Sequence, residues 1–199
     1  MTKVREMPDA FALYEPKNGM CDRYLLGVFQ NAKPAQAMEI EIRELFQFPD
    51  LEPGNNLKLV FQFKNEESVA VHVRKGNDYQ SRKWYQNTCP LGYYLNAVEL
   101  MKKKLNTPKF YVFTDNPKWV NENFKDFDYT LVEGNPVSGW GSHFDMQLMS
   151  LCRHNIISNS TYSWWSAFLN SNPQKNVIMP KIWFNPVCAP HSESDRLQC

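Results

Sequence analysis

The chain has 199 residues, enough for one domain with a substantial core. Its 22 lysines and arginines balance 21 acidic residues, so no bulk field draws it to nucleic acid or an anionic membrane, and any anion site must be local. No charged-then-apolar leader opens it and no apolar run reaches membrane-spanning length, so a cytoplasmic protein without a transmembrane segment is the expectation.

Residues 1–35 are poorly patterned, with Pro8, Pro16, Gly19 and Pro34 breaking any long element, although Tyr24–Gln30 is apolar enough for a short buried piece. From Ala37 to Phe48 the apolar residues Met38, Ile42, Leu45 and Phe46 recur at helical spacing, and Pro49 with the Pro53-Gly54 turn ends that helix. Leu57–Phe63 fits either a helix or a strand. Val69–Arg74 then reads as a buried strand, Leu91–Leu105 as a helix, and Phe110–Phe113 as a strand ending at Thr114-Asp115. Asn116-Pro117 caps and opens the next helix. Tyr129–Val132 is a short strand, Phe144 to Cys152 a helix, Asn155–Ser158 a strand, Thr161–Leu169 a helix and Val177–Met179 a last strand. This alternation predicts an α/β fold with a doubly wound parallel sheet.

Two strand ends carry chemistry. The apolar run Val69-Ala70-Val71-His72-Val73 ends in Arg74, whose guanidinium can fork onto two phosphate oxygens or pair with a local carboxylate. His72 lies on the same strand face, as a satisfied core residue or as a hydrogen-bond partner for a base or ribose. Gly76 permits close approach of backbone to a ligand. Asp78 serves as a base or folds the loop, and Asp115 touches ligand or starts the next helix. At the second end, Ile156-Ile157-Ser158-Asn159-Ser160-Thr161-Tyr162-Ser163 turns straight from strand to helix. Free backbone N–H groups there, with Asn159 and the hydroxyls of Ser160, Thr161 and Ser163, suit phosphate, although the hydroxyls also fit plain helix capping. Asp145, one helix earlier, faces solvent or ligand. Trp164 and Trp165 read as core. Together the two ends point to a nucleotide-type ligand at the carboxyl edge of the sheet. No Asp-x-Asp pair ends a strand, and no Walker or dinucleotide glycine fingerprint occurs. The five cysteines include no Cys-x-x-Cys pair, so neither a zinc site nor a disulfide framework is expected.

His72-Val73-Arg74-Lys75-Gly76-Asn77-Asp78-Tyr79, Val112-Phe113-Thr114-Asp115-Asn116, Phe144-Asp145-Met146 through Trp164-Trp165, and Pro180–Phe184 resemble, in order, the motifs of the α-1,2-fucosyltransferases, glycosyltransferase family eleven. The resemblance implies a GT-B-like architecture, with residues 1–66 a remnant of an amino-terminal acceptor domain and linker, and 67–199 a GDP-fucose-binding, Rossmann-like domain. It implies inverting, metal-independent transfer of L-fucose from GDP-β-L-fucose to the 2-hydroxyl of a galactose-terminated glycan. It also implies a bacterial role in surface polysaccharide assembly, with peripheral association at the inner face of the membrane. Carried over, Arg74 neutralises the β-phosphate, His72 and Asp145 contact the guanosine, and Ser160, Thr161 and Ser163 line the diphosphate. The family's Gly-Gly-Leu-Gly-Asn-Gln opening is absent and Asn77 lengthens the first motif, which displaces Asp78. The alternative expectation is a non-catalytic GDP-sugar-binding fragment.

Overall fold

The computed structural model describes residues 3–5, 24–26, 32–76, 79, 81–83 and 85–185. The chain divides into two compact units, Met1–Gln47 with Glu193–Cys199, and Phe48–Ser192. In the first, strands β1 (Lys3–Arg5) and β2 (Tyr24–Leu26) pair in parallel. Helices α1 (Ala32–Ala37) and α2 (Glu39–Leu45) follow. The helix expected from Ala37 to Phe48 is α2, which runs only from Glu39 to Leu45, and α1 precedes it, largely within the stretch read as poorly patterned; Met38, between them, takes φ −118° and ψ 31°. Pro34, read as a breaker, sits in the first turn of α1, where a proline forfeits no helical hydrogen bond. Met38, Leu45 and Phe46 are exposed.

The second unit holds the sheet. Its elements run α3 (Asn55–Asn65), β3 (Ser68–Val73), α4 (Leu91–Lys104), β4 (Lys109–Thr114), α5 (Pro117–Asn123), β5 (Tyr129–Leu131), a 3-10 turn (Trp140–His143), α6 (Phe144–Leu151), β6 (His154–Ile156), α7 (Thr161–Leu169) and β7 (Val177–Ile178). Leu57–Phe63, ambiguous in sequence, is helical because Val60 and Phe63, three residues apart, bury one face on the sheet. The unit thus starts upstream of the 66/67 boundary expected from sequence.

The five strands are parallel in the order β5-β4-β3-β6-β7. Strands with Val69, Val71, Val73, Phe110 and Val112 on one face meet Tyr94, Val98 and Met101 of α4 and Val120 of α5. The alternate residues Ala70, Tyr111 and Phe113 meet Val60 and Phe63 of α3 and Leu148 and Met149 of α6. Period-two alternation thus feeds two cores, and each fully buried side chain of this size contributes about 1.5–3 kcal/mol. The chain runs outward through β4 and β5, then returns to the other side of β3 with β6 and β7. Strand order therefore reverses between β3 and β6, and ligands of open parallel sheets bind outside the carboxyl ends at such a point.

Buried amides hold the returning half together. Asn155 donates to Met149 O (2.9 Å), and Asn170 donates to Cys152 O (2.8 Å) and to Asn155 Oδ1 (2.8 Å). These bonds tie α6, β6 and the end of α7 without leaving either amide unsatisfied. Cys152 is buried, as expected. Among the described residues, no helix is long and apolar enough to cross a membrane.

Candidate functional site

The carboxyl end of β3 carries His72 and Arg74 into a cavity of about 420 Å³. His72 Nδ1 lies 2.8 Å from Ser158 Oγ, the residue just past the end of β6. Ser163 Oγ donates to Ser160 O (3.2 Å) and is 3.5 Å from Ser158 Oγ, too long for a good hydroxyl pair. With the Ser158 hydroxyl donating to Nδ1, the neutral ring presents Nε2–H as its remaining donor. Burial, reinforced by the Arg74 charge, pushes the His72 pKa down to about 3. The imidazole is thus a neutral donor beside a cation.

At the second strand end, Ser160 precedes α7 without capping it through its side chain. Trp164 N donates to Ser160 O (2.9 Å), which closes the first turn, and the amides before it have no intrahelical acceptor. Ser160, Thr161 and Tyr162 line the cavity. Asn159 and Ser163 do not line it: Asn159 donates to Trp183 O (3.2 Å), and the Ser163 hydroxyl is spent on the Ser158 and Ser160 carbonyls. Trp164 is buried against Phe168, as a core residue.

Asp145, in the first turn of α6, also lines the cavity. Asn135 donates to its Oδ1 (2.8 Å), and Asn56 at the start of α3 donates to Asn135 Oδ1 (2.8 Å). Burial raises the Asp145 pKa, and the Asn135 bond partly counters it. Tyr162 OH accepts from Met146 N (2.8 Å) and donates to Ser142 O (2.7 Å), locking the corner that presents Asp145. Its own pKa is raised, first by burial and then by the neighbouring Asp145 charge.

Asp115 lines the cavity and accepts from Lys75 N (2.7 Å). Helix-start chemistry falls instead to Asn116, whose Oδ1 accepts from Trp119 N (3.0 Å). Gly76 lies outside the lining, and a Cβ on it would sit 2.6 Å from Asp115 Oδ2. Lys75 turns away: its ammonium donates to Cys89 O (2.7 Å) and lies over the Tyr79 and Trp119 rings at 4.7 and 5.1 Å. Asp78 lies outside the described residues. The fold thus gathers His72, Arg74, Asp115, Asp145, Ser160 and Thr161 on one cavity, leaving Gly76, Asn159 and Ser163 as supports around it.

Sequence reasoning passed over Thr114, Pro136, Val137, Ser142 and Tyr162, which complete the wall. Tyr162 had a signal, since it lies between the two hydroxyl residues already singled out. The loop residues had none, because no periodicity constrains the path from β5 to α6. The profile of glycosyl transferase family 11 matches residues 14–193. The chain belongs to glycosyl transferase family 11. Similar proteins include the O-antigen biosynthesis glycosyltransferase WbnK of Escherichia coli, 33% identical over 176 residues, 84% of this chain and 56% of that protein. The alpha-1,2-colitosyltransferase of Escherichia coli is 32% identical over 168 residues, covering 80% of this chain and 55% of its own length. The rat galactoside alpha-(1,2)-fucosyltransferase 2 is 30% identical over 105 residues, 51% of this chain and 29% of its own. This family 11 chain spans about half the length of the bacterial relatives it matches.

Proposed function

We propose that the Phe48–Ser192 unit binds the nucleotide-sugar donor of an inverting α-1,2-glycosyltransferase, with GDP-β-L-fucose as donor and a galactoside 2-hydroxyl as acceptor. One observation carries this reading: in a family 11 chain, Arg74 and His72 from β3 share a single cavity with Ser160 and Thr161 from the start of α7. Its volume of about 420 Å³ falls in the usual range for a small-molecule site. Cleavage of the sugar C–O bond builds negative charge on the departing diphosphate, and fixed donors aimed there stabilise the transition state more than the ground state. Arg74 supplies the full charge, the neutral His72 an uncharged donor, and the first turn of α7 its free amides. Asp145 is an acceptor for the paired N–H groups of a guanine edge. Neutralisation by arginine and backbone needs no metal ion. The relative named for O-antigen biosynthesis supports a role in surface polysaccharide assembly.

A second donor is favoured by the colitosyltransferase, whose match covers 80% of this chain against 51% for the rat fucosyltransferase. In that reading the nucleotide site is the same and the sugar is colitose. Calorimetric titration with GDP in EDTA, with hydrolysis of GDP-fucose and GDP-colitose followed in parallel, tests both. Micromolar GDP binding with preferential turnover of one donor is expected and selects between them. Absence of GDP binding refutes the nucleotide site, and binding without any turnover reduces the chain to a donor-binding module.

A further inference from the structure

We infer that Tyr85 is a positioning residue that holds the Arg74 guanidinium in its phosphate-facing orientation; the inference rests on the reading of Arg74 as the diphosphate ligand. Arg74 Cζ lies 5.0 Å from the centroid of the Tyr85 ring, within cation–π range. Tyr85 is absent from the cavity lining, so whatever it does for a ligand passes through Arg74. An arginine side chain has several rotatable bonds, and fixing it before the ligand arrives removes an entropic cost from binding. A ring face attracts the guanidinium without neutralising its charge.

The ring is itself clamped. It stacks on Tyr79 (6.2 Å, 11°) and on Phe184 (6.2 Å, 27°). The Tyr85 carbonyl accepts from the Thr88 hydroxyl (2.6 Å), and that hydroxyl is 2.9 Å from Tyr79 OH. Lys75, next to Arg74 on the chain, ties the same loop down through Cys89 O. Strand and loop are therefore cross-braced at adjacent residues, one brace through Lys75 and the other through the Arg74–Tyr85 contact.

A double-mutant cycle on GDP affinity tests the inference, using the whole chain in its wild-type, Y85L, R74A and R74A/Y85L forms. With Arg74 no longer ordered before the ligand arrives, Y85L should weaken GDP binding by roughly three- to tenfold, the cost of immobilising one long side chain. Y85F should restore it to within about twofold, since the ring face is kept. In the R74A background, Y85L should change nothing further. Equal affinity for Y85L and wild type, or an undiminished loss in the R74A background, overturns the positioning role while leaving the nucleotide site intact. Unchanged affinity in R74A instead removes the phosphate assignment on which the inference stands. Should Y85L fail to fold, the wild-type protein suffices: the Arg74 side-chain protons should show an upfield ring-current shift by NMR, and unshifted resonances refute the contact.

Discussion

Ser158 Oγ reaches His72 Nδ1 at 2.8 Å, joining the end of β6 to the end of β3 across the point where strand order reverses. With Ser158 as donor, the contact leaves the ring proton on Nε2. Long-range ¹H–¹⁵N correlation spectra should show His72 protonated at Nε2, and a Nδ1–H tautomer would refute the proton assignment. Ser158→Ala strips a buried acceptor of its donor and should cost about 1–3 kcal/mol of stability in urea unfolding. It should also weaken GDP binding.

His72 makes the fold acid-sensitive. Its folded pKa of about 3 lies below the ordinary value of 6.5, so the neutral ring stabilises the native state above pH 6.5. That stability drains away as pH falls from 6.5 toward 3, where the unfolded state binds the proton first. Between pH 8 and pH 5 the loss should approach about 2 kcal/mol. Asp145 acts in the opposite sense, because a carboxyl raised by burial is relieved as it protonates. Comparing wild type with His72→Gln across this range isolates the histidine. Parallel stability curves for the two proteins would rule the effect out.

Asp145→Asn removes a charge that burial disfavours and leaves the Asn135 contact in place. Apo stability should therefore hold or rise slightly. Selectivity should move the other way: the preference for GDP over ADP should fall by roughly ten- to a hundred-fold, the worth of a charge-assisted hydrogen bond. Competition calorimetry reads the ratio. An unaltered ratio would detach Asp145 from base recognition.

Gly76→Ala puts a methyl 2.6 Å from Asp115 Oδ2, and Asp115 is pinned by Lys75 N at 2.7 Å. The carboxylate has to give up that bond or the backbone has to shift. A penalty of about 1–3 kcal/mol should follow, measured as a lowered Tm. Gly92→Ala is the control, since nothing lies within 4 Å of a Cβ there.

From β3 onward the strands and helices of the second unit were legible, because β3 and β4 are apolar on both faces and the helices carry clear stripes, whereas α3 buries too little for its period to show. The period of two also put His72 and Arg74 on one face. Whether a polar residue at the β6–α7 corner faces in or out depends on the path of the turn, which no period encodes. Asn159 and Ser163 turn inward to satisfy backbone carbonyls, whereas their neighbours Ser160 and Thr161 face the cavity. Asn135 and Tyr85 were invisible for a related reason: their partners lie 10 and 11 positions away along irregular segments, and only folding brings them together. Helix α1 was likewise unsignalled, since Pro34 reads as a breaker and only the small residues Ala32 and Ala35 are buried on it.

β3 pairs with β4 along its whole length and with β6 over Val69–Val71, and both cores close over it. Amide protons along Val69–Val71 should therefore exchange with solvent only when the whole second unit opens. His72 rides on that slowest-exchanging strand and Arg74 follows directly on its last residue, Val73. The capacity to hold an anion should then vanish in the same denaturant transition as the fold, with no intermediate that is folded yet unable to bind. Damage to the two cores, away from the cavity wall and the residues that brace it, would change how many molecules are competent, and each surviving molecule would bind as tightly as before.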